Sequence, residues 1–483
     1  MAKRKQILFA AFEAAPFVKT GGLGDVAGSL PGAVNSPEYD VRVILPLLSA
    51  IPEEYKAKMK FVTEYSVPLG WRQSYCGLFR MRKSGITYYF IDNEYYFKRD
   101  NVYGEFDDAE RIAFFSKAIL ETILHVDTLR PDIIHCNDWH TALTPVFLHE
   151  HFISNELFRN IKVVFTIHNL KFQGKYDKNI IGDVLGLQGT PAENQLLDGD
   201  AVNFLKGAVI YSDAVTTVSP TYAENICTPE YGEGLEELFK SVRYKLSGIV
   251  NGIDSRDFDP KTDKGIVQKY SLDTIEKKQK NKAALQEELG LPVNPDVPLF
   301  AMVTRMTAQK GMDLVTYLLP QMAERDMQIA ILGTGDMDYE DEVRLAAKVY
   351  PEKISARIMF DEKLSRRFYA GADCFIMPSI FEPCGLAQMI SMRYGTLPIV
   401  RKTGGLMDTV DGYWDYGENA TGFSFNDPDA NGLRVTIDQA ITMWYNDHEM
   451  WNRLQRNGMM KDFSWSKSAE VYKRLYDDMV DGK

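Results

Sequence analysis

Cysteine is scarce in this chain. Five are spread over 483 residues, at Cys76, Cys136, Cys227, Cys374 and Cys384, and no two form a Cys-x-x-Cys pair. An odd count at wide spacing excludes a disulfide-dense scaffold, and reduced thiols in a cytoplasmic protein are expected. Positive charge is in deficit, with 55 Lys+Arg against 67 Asp+Glu and a net charge of -12. Phosphate backbones are gripped by basic surfaces, so no nucleic-acid partner is expected; a local basic pocket for a small phosphate ligand stays open. No stretch approaches the ~20 apolar residues needed to span a bilayer, so no membrane partner is expected either. The N-terminus, basic over Met1–Gln6 and apolar over Ile7–Phe12, superficially resembles a leader. Its apolar run stops after six residues at Glu13, which suits a buried first strand better.

What is present is ordinary globular composition, 45% hydrophobic and 25% charged. The length admits two or three domains and leaves oligomeric state open. Short β-branched runs recur at Ile7–Phe12, Val41–Leu45, Tyr88–Ile91, Ile133–Cys136, Val163–Ile167 and Ala214–Val218. They continue at Leu299–Val303, Gln328–Leu332, Ala356–Phe360, Cys374–Met377 and Leu397–Val400. Continuous rather than alternating hydrophobicity predicts strands covered on both faces. Helical patterns such as Ala109–Val126 and Leu364–Ala370 lie between them, the signature of doubly wound parallel α/β sheets. A boundary is expected near Asn251-Gly252-Ile253-Asp254, giving domains at 1–253 and 254–460. A final helix at Phe463–Lys483 could join either.

One internal echo stands out. Lys19-Thr20-Gly21-Gly22-Leu23 recurs as Lys402-Thr403-Gly404-Gly405-Leu406, each copy after a strand and opening a helix. Glycine permits close backbone approach, and helix N-termini favour anions, so each copy could seat a phosphate. For the first copy taken alone, a purely structural Gly-Gly turn is the alternative.

Other candidates also follow strands, where ligands of open α/β sheets bind. Arg305 and Lys310 could grip a diphosphate; the alternative is two solvated surface charges. Glu382 sits among Phe381, Pro383 and Cys384, where a buried acid needs partners such as sugar hydroxyls; it could instead cap the helix that Gly385 and Leu386 open. Asp138, His140, His168 and Asn169 follow two strands and belong to the same rim as Lys19. The histidines could equally be structural, and their spacing fits no zinc motif. Gly333-Thr-Gly335 lacks the third glycine of a dinucleotide fingerprint. The Asp-x-Asp triplets at 198/200, 257/259 and 336/338 assemble no octahedral metal set.

Taken together, these segments resemble the bacterial glycogen synthase and starch synthase family. The resemblance runs through Phe12–Asp25, Asn137–His140, His168–Gly174, Asn251–Asp254, Arg305–Gly311, Phe381–Gln388 and Tyr394–Val410, in the family's order along almost the whole chain. It implies a GT-B fold of two Rossmann-like domains facing across a deep cleft, with the last helix crossing back to the first domain. The implied reaction moves glucose from ADP-glucose, or UDP-glucose, to the nonreducing 4-OH of an α-1,4-glucan such as glycogen, with retention and with no metal or cofactor. Lys19, Gly21 and Gly22 then resemble a donor-phosphate loop, with Thr403 at the matching turn. Arg305 and Lys310 resemble the cations on the departing diphosphate, Glu382 the acid holding donor glucose, and Cys384, Gly385 and Leu386 the lining of the glucose and phosphate end. Asp138, His168 and Asn251 resemble residues around the transferred sugar, and Glu13 and Asp25 match the pattern. Ile390 stands where related retaining enzymes carry a second acid, which favours same-face attack over a covalent glycosyl-enzyme. Phe12, Lys171-Phe172 and Ile380 depart from the family's usual Ser, Ala-Tyr and Arg. A GT-B enzyme with another donor or acceptor, and a glucan-binding protein without turnover, are the alternatives. A lipid-directed enzyme is disfavoured because no basic amphipathic face is present.

Overall fold

A computed structural model describes residues 4–482. Residues 1–3 of the basic start Met1–Gln6, and Lys483 of the segment Phe463–Lys483, lie outside the described residues. The chain divides into two compact units. One holds the described residues up to Gly252 together with those from Trp465 onward; the other is Ile253–Ser464.

In chain order the first unit contains β1 (Lys5–Ala10), β2 (Tyr39–Pro46), β3 (Lys60–Leu69), β4 (Arg72–Lys83), β5 (Ile86–Asp92), β6 (Ile133–Asn137) and β7 (Lys162–Ile167). Then come β8 (Lys175–Asp177), β9 (Leu197–Asp198), β10 (Ala201–Asn203), β11 (Ala214–Thr217) and β12 (Leu246–Gly248). The main sheet runs β12-β11-β7-β6-β1-β2-β5-β4-β3, and β8-β10-β9 form a small separate sheet. From β12 to β5 every neighbour pairs in parallel, with Phe9 opposite both Val43 and His135. These central strands are covered on both faces, and the helix Asp108–His125 buries most of its length. Each parallel return needs a crossover, which such helices supply.

The sheet is not wholly parallel. β3 and β4 form an antiparallel hairpin at its edge, joined antiparallel to β5. Their residues alternate between buried and exposed, with Val67 and Leu78 inside and Phe61 and Tyr75 outside. An edge pair wetted on one side carries a period of two, so a reading tuned to continuous apolar runs passes over it.

The helix Trp465–Asp481 packs in this unit through Trp465, Ala469, Tyr472 and Tyr476. Lys5 Nζ and Tyr39 Oη both meet Asp477, at 2.6 and 2.5 Å, and Ser468 Oγ donates to the Val250 carbonyl at 2.7 Å. Beneath it, fully buried His135 bonds Tyr476 Oη through Nδ1 at 2.7 Å and Thr166 Oγ1 through Nε2 at 2.6 Å. Burial holds its imidazole neutral, with a pKa lowered to about 3.

The second unit has one six-stranded sheet built from β13 (Leu299–Val303), β14 (Gln328–Gly333), β15 (Ile354–Ile358), β16 (Cys374–Met377), β17 (Leu397–Arg401) and β18 (Phe423–Phe425). Its order is β15-β14-β13-β16-β17-β18, parallel throughout. β15 lies two residues earlier than the apolar run Ala356–Phe360 suggested. Met359 and Phe360 fall beyond the strand and are exposed, 90% for Phe360. The charge-rich stretch before β13 contains the helix Lys278–Leu289. Two of its three lysines are buried with partners: Lys278 Nζ donates to Ala370 O and Thr396 Oγ1 at 2.7 and 2.8 Å, and Lys282 pairs with Asp373 at 2.8 Å. No helix among the described residues is long and apolar enough to cross a membrane.

Tyr476→Phe should strand a buried imidazole nitrogen and lower unfolding stability by about 1–3 kcal/mol. Chemical denaturation would read this as a lower midpoint, with turnover at 25 °C unchanged.

Candidate active site

In the first unit the loops after β1, β6 and β7 leave the carboxyl edge of adjacent strands. The first of these, after β1, carries Glu13, whose side chain is almost wholly buried. Its Oε2 accepts from the Thr20 N–H and hydroxyl, each at 2.7 Å, and its Oε1 accepts from Gly24 N at 3.0 Å. One carboxylate thus pins both ends of the Thr20–Gly24 turn. Burial raises its pKa, and the hydrogen bonds from Thr20 and Gly24 oppose that shift. Lys19 stays half-exposed and pairs with Asp25 at 2.7 Å.

After β6, Asp138 is held at φ 55°, a left-handed backbone that costs a non-glycine residue energy and persists only where surroundings enforce it. Its N–H donates to Thr166 O at 2.9 Å, and its Oδ1 accepts from His168 N at 2.7 Å. Desolvation pushes its pKa up to about 7 against the opposing N–H bonds of His168 and Asn169, with Glu13 adding to the rise. Asn137 directs its amide hydrogens at the carbonyls of Ala10 and His135, at 3.1 and 3.2 Å. Its Oδ1 therefore accepts from His168 Nε2 at 3.0 Å, which sets the tautomer and leaves His168 Nδ1 as an acceptor. Burial keeps His168 neutral, with a pKa lowered to about 3. Asn251, three residues past β12, is buried with its Oδ1 lacking a hydrogen-bond partner.

His140 has another part. It lies inside an aromatic stack, 5.4 Å from Phe12, 4.5 Å from Tyr103 and 4.3 Å from Trp139 between ring centroids. Phe12, unusual at its position, is thus core packing. Trp139, Phe172, Gln173, Tyr176 and Glu233 line a cavity of about 350 Å³ beside these loops, and Lys171 also borders it.

In the second unit, Lys310 Nζ lies 2.5 Å from Glu382 Oε2, which also accepts from Ser379 Oγ at 3.2 Å. Both members of the pair are largely buried. Arg305 is exposed, and its guanidinium has no hydrogen bond or ion pair among the described residues. The Gly333–Gly335 turn braces the Arg305 loop: Met306 N donates to Thr334 O at 2.9 Å, and Asp336 N to Met306 O at 2.8 Å. Gln388 Nε2 ties the next loop down, donating to the carbonyls of Cys384 and Gly385 and to Thr409 Oγ1 at 3.0–3.1 Å. Cys384 is buried, and Gly385 and Leu386 are half-buried beside it.

The two Lys-Thr-Gly-Gly turns share a sequence and differ in use. A Cβ on Gly21 or Gly22 would meet no atom within 4 Å, so the chain itself does not demand glycine there. A Cβ on Gly404, at φ 44°, would lie 2.1 Å from Glu382 O, and one on Gly405 2.4 Å from Cys384 Cα. The second pair is filled by the 382–384 backbone, to which Gly405 N donates at 3.1 Å from Glu382 O. Thr403 is buried at that turn. The second copy therefore shapes the Glu382 loop. The first copy leaves its backbone open to approach.

Reading from sequence assigned no role to Asn137, Ser379 or Gln388, though Asn137 and Gln388 bound the quoted segments. The signal available was a polar side chain close by in sequence: Asn137 directly before Asp138, and Ser379 and Gln388 on either side of Glu382. The triplet aspartates serve other partners: Asp198 meets Lys175 at 2.8 Å, and Asp257 meets Arg366 at 2.6 Å.

Two parallel α/β units, one with acid and imidazole groups at its strand ends and one with cations and a carboxylate at its own, define a glycosyltransferase of the GT-B fold. Residues 6–241 match the starch synthase catalytic domain family, and residues 286–459 match glycosyl transferases group 1. The chain is 47% identical over 475 residues to glycogen synthase of Clostridium novyi (strain NT), covering 98% of this chain and 99% of that protein. It is 48% identical over 476 residues to glycogen synthase of Geobacillus stearothermophilus, covering 98% of each. Among solved structures, the catalytic domain of starch synthase IV from Arabidopsis thaliana bound to ADP and acarbose matches with a TM-score of 0.90 at 34% identity, over 99% of this chain and all of that one. Sucrose-phosphate synthase from Thermosynechococcus elongatus, at 17% identity and a TM-score of 0.62, shares the fold. The chain belongs to the glycogen synthase and starch synthase family.

The glycine contrast is testable. Gly21→Ala should melt with the parent and lose kcat/KM for the donor, whereas Gly405→Ala should lower Tm because backbone, not a side chain, must yield. Equal melting shifts in the two variants would contradict the difference in packing.

Proposed function

We propose that this enzyme extends α-1,4-glucan chains, moving glucose from ADP-glucose to a nonreducing 4-OH with retention of configuration. The Lys310–Glu382 pair at the carboxyl edge of the second sheet, with unpartnered Arg305 nearby in sequence, carries the reading. Breaking the bond between glucose C1 and the diphosphate oxygen leaves negative charge on the diphosphate and oxocarbenium character on the sugar. Lys310 keeps two ammonium protons beyond the one directed at Glu382, and Arg305 offers its whole fork to phosphate oxygens. Glu382 accepts from glucose hydroxyls. Position 390 is Ile390, so no second carboxylate stands there to form a covalent intermediate. The acceptor oxygen then bonds C1 on the face the diphosphate leaves, and its proton passes to the departing phosphate oxygen.

In the first unit, Asp138 and His168 serve the transferred sugar. An ionised Asp138 stabilises positive charge at the ring, and the His168 Nδ1 acceptor suits a hydroxyl. Asn251 Oδ1, buried and unpartnered, suits another. The Thr20–Gly24 turn, pinned by Glu13, offers N–H groups to the donor phosphates. The aromatic cavity at Trp139, Phe172 and Tyr176 suits acceptor glucose rings, whose apolar faces stack on aromatic side chains while their hydroxyls meet the polar lining.

Mixing the protein with glycogen and ADP-glucose should release ADP. Silence with both ADP- and UDP-glucose would reject the reading, and UDP release alone would reassign the donor. Lys310→Ala should lose on the order of 10²–10³ in kcat and also lower Tm, because it leaves Glu382 buried without its cation. Arg305→Ala should lose activity with Tm unchanged, since that side chain has no partner among the described residues to abandon. Because the Asp138 carboxyl titrates near 7 and the ionised form is the useful one, kcat/KM should climb as pH rises through about 7. Asp138→Asn should give a lower, flat profile over that range; a limb that survives the substitution belongs to another group.

A further inference from the structure

A second cavity, of about 320 Å³, lies in the other unit beyond β17 and β18 and is used by none of the chemistry above. Trp414 borders it, 66% exposed, with no hydrogen-bond partner among the described residues for its indole N–H. Lys402 and Asp415 line it as an ion pair at 2.6 Å. Asn426 and Asn431 add exposed amides, and Ser424, 3% exposed, lines it with a buried Oγ that lacks a partner. Its volume falls at the small end of ligand clefts.

The chemistry of this lining selects among ligands. Its one cation is already neutralised by Asp415, so it offers a phosphate no free charge. An exposed indole face beside amides and a charge pair suits a flat, hydroxyl-rich ring, whose C–H face stacks while its hydroxyls take both donors and acceptors. We infer that the cavity at Trp414 is a carbohydrate-binding site that holds a glucose unit of the glucan away from the reacting end. This rests on the proposed reading of the enzyme as a glucan synthase. A polymer held at one contact presents its ends at a raised effective concentration, so a weak second site strengthens use of long acceptors without touching the chemical step.

The test uses the full-length enzyme, with maltotriose as short acceptor and glycogen as long one. Trp414→Ala, at an exposed position, should melt with the parent and keep its kcat and donor KM with maltotriose. Its KM for glycogen should rise about tenfold, and its retardation in glycogen-containing native gels should weaken. Trp414→Phe, which keeps a stacking face, should recover most of both. An unchanged glycogen KM and unchanged retardation would overturn the inference while leaving the synthase reading intact. Equal loss in the Phe and Ala variants would overturn the stacking role, and a matching loss with maltotriose would assign Trp414 to the reaction centre instead. Absence of transfer to either acceptor by the parent enzyme would instead remove the synthase reading itself.

Discussion

The direction of the strands governs the rest of this molecule. From β12 to β5 in the first unit, and across all of the second unit's sheet, neighbouring strands point the same way. Every outgoing loop of a parallel set therefore leaves at one edge. Glu13, Asp138, His168 and Asn251 lie far apart in sequence, yet each follows a strand of the first sheet. Arg305, Lys310 and Glu382 follow β13 and β16, which pair directly. Helices covering both faces make such a sheet stable, because parallel strands bury their apolar side chains on two sides.

Buried charge is used in this scaffold to fix loops. Glu13 gives up solvation to accept three hydrogen bonds from one turn, and Asp138 does so to hold the His168 backbone from the next strand. Each desolvated carboxylate ties down backbone N–H groups of a neighbouring loop, so the loops are set before a ligand arrives. Lys310 and Glu382 apply the same device between side chains. Arg305, with no side-chain partner among the described residues, keeps its charge available.

Much of the fold was legible. The continuous apolar runs marked six strands of the first sheet and five of the second, because a strand covered on both faces has no polar side. The hairpin β3–β4 was not, since its polar alternate residues face solvent, and β15 was displaced because Met359 and Phe360 are apolar yet exposed. The charge-rich stretch before Leu299 gave no sign of the helix Lys278–Leu289, for nothing in its composition reveals that Lys278 and Lys282 are buried against carbonyls and Asp373.

For the site, the chain order alone carried the residue types and their places after strands: Lys19 and the first glycine pair, Asp138, His168, Arg305, Lys310 and Glu382. Those are local properties, set by neighbours a few positions away. Which glycine pair is packed and which is open, which histidine is stacked in the core and which is oriented by Asn137, and which cation is already paired depend on residues tens to hundreds of positions distant. Such contacts arise only when strands align and loops meet, so packing, not local pattern, decided them.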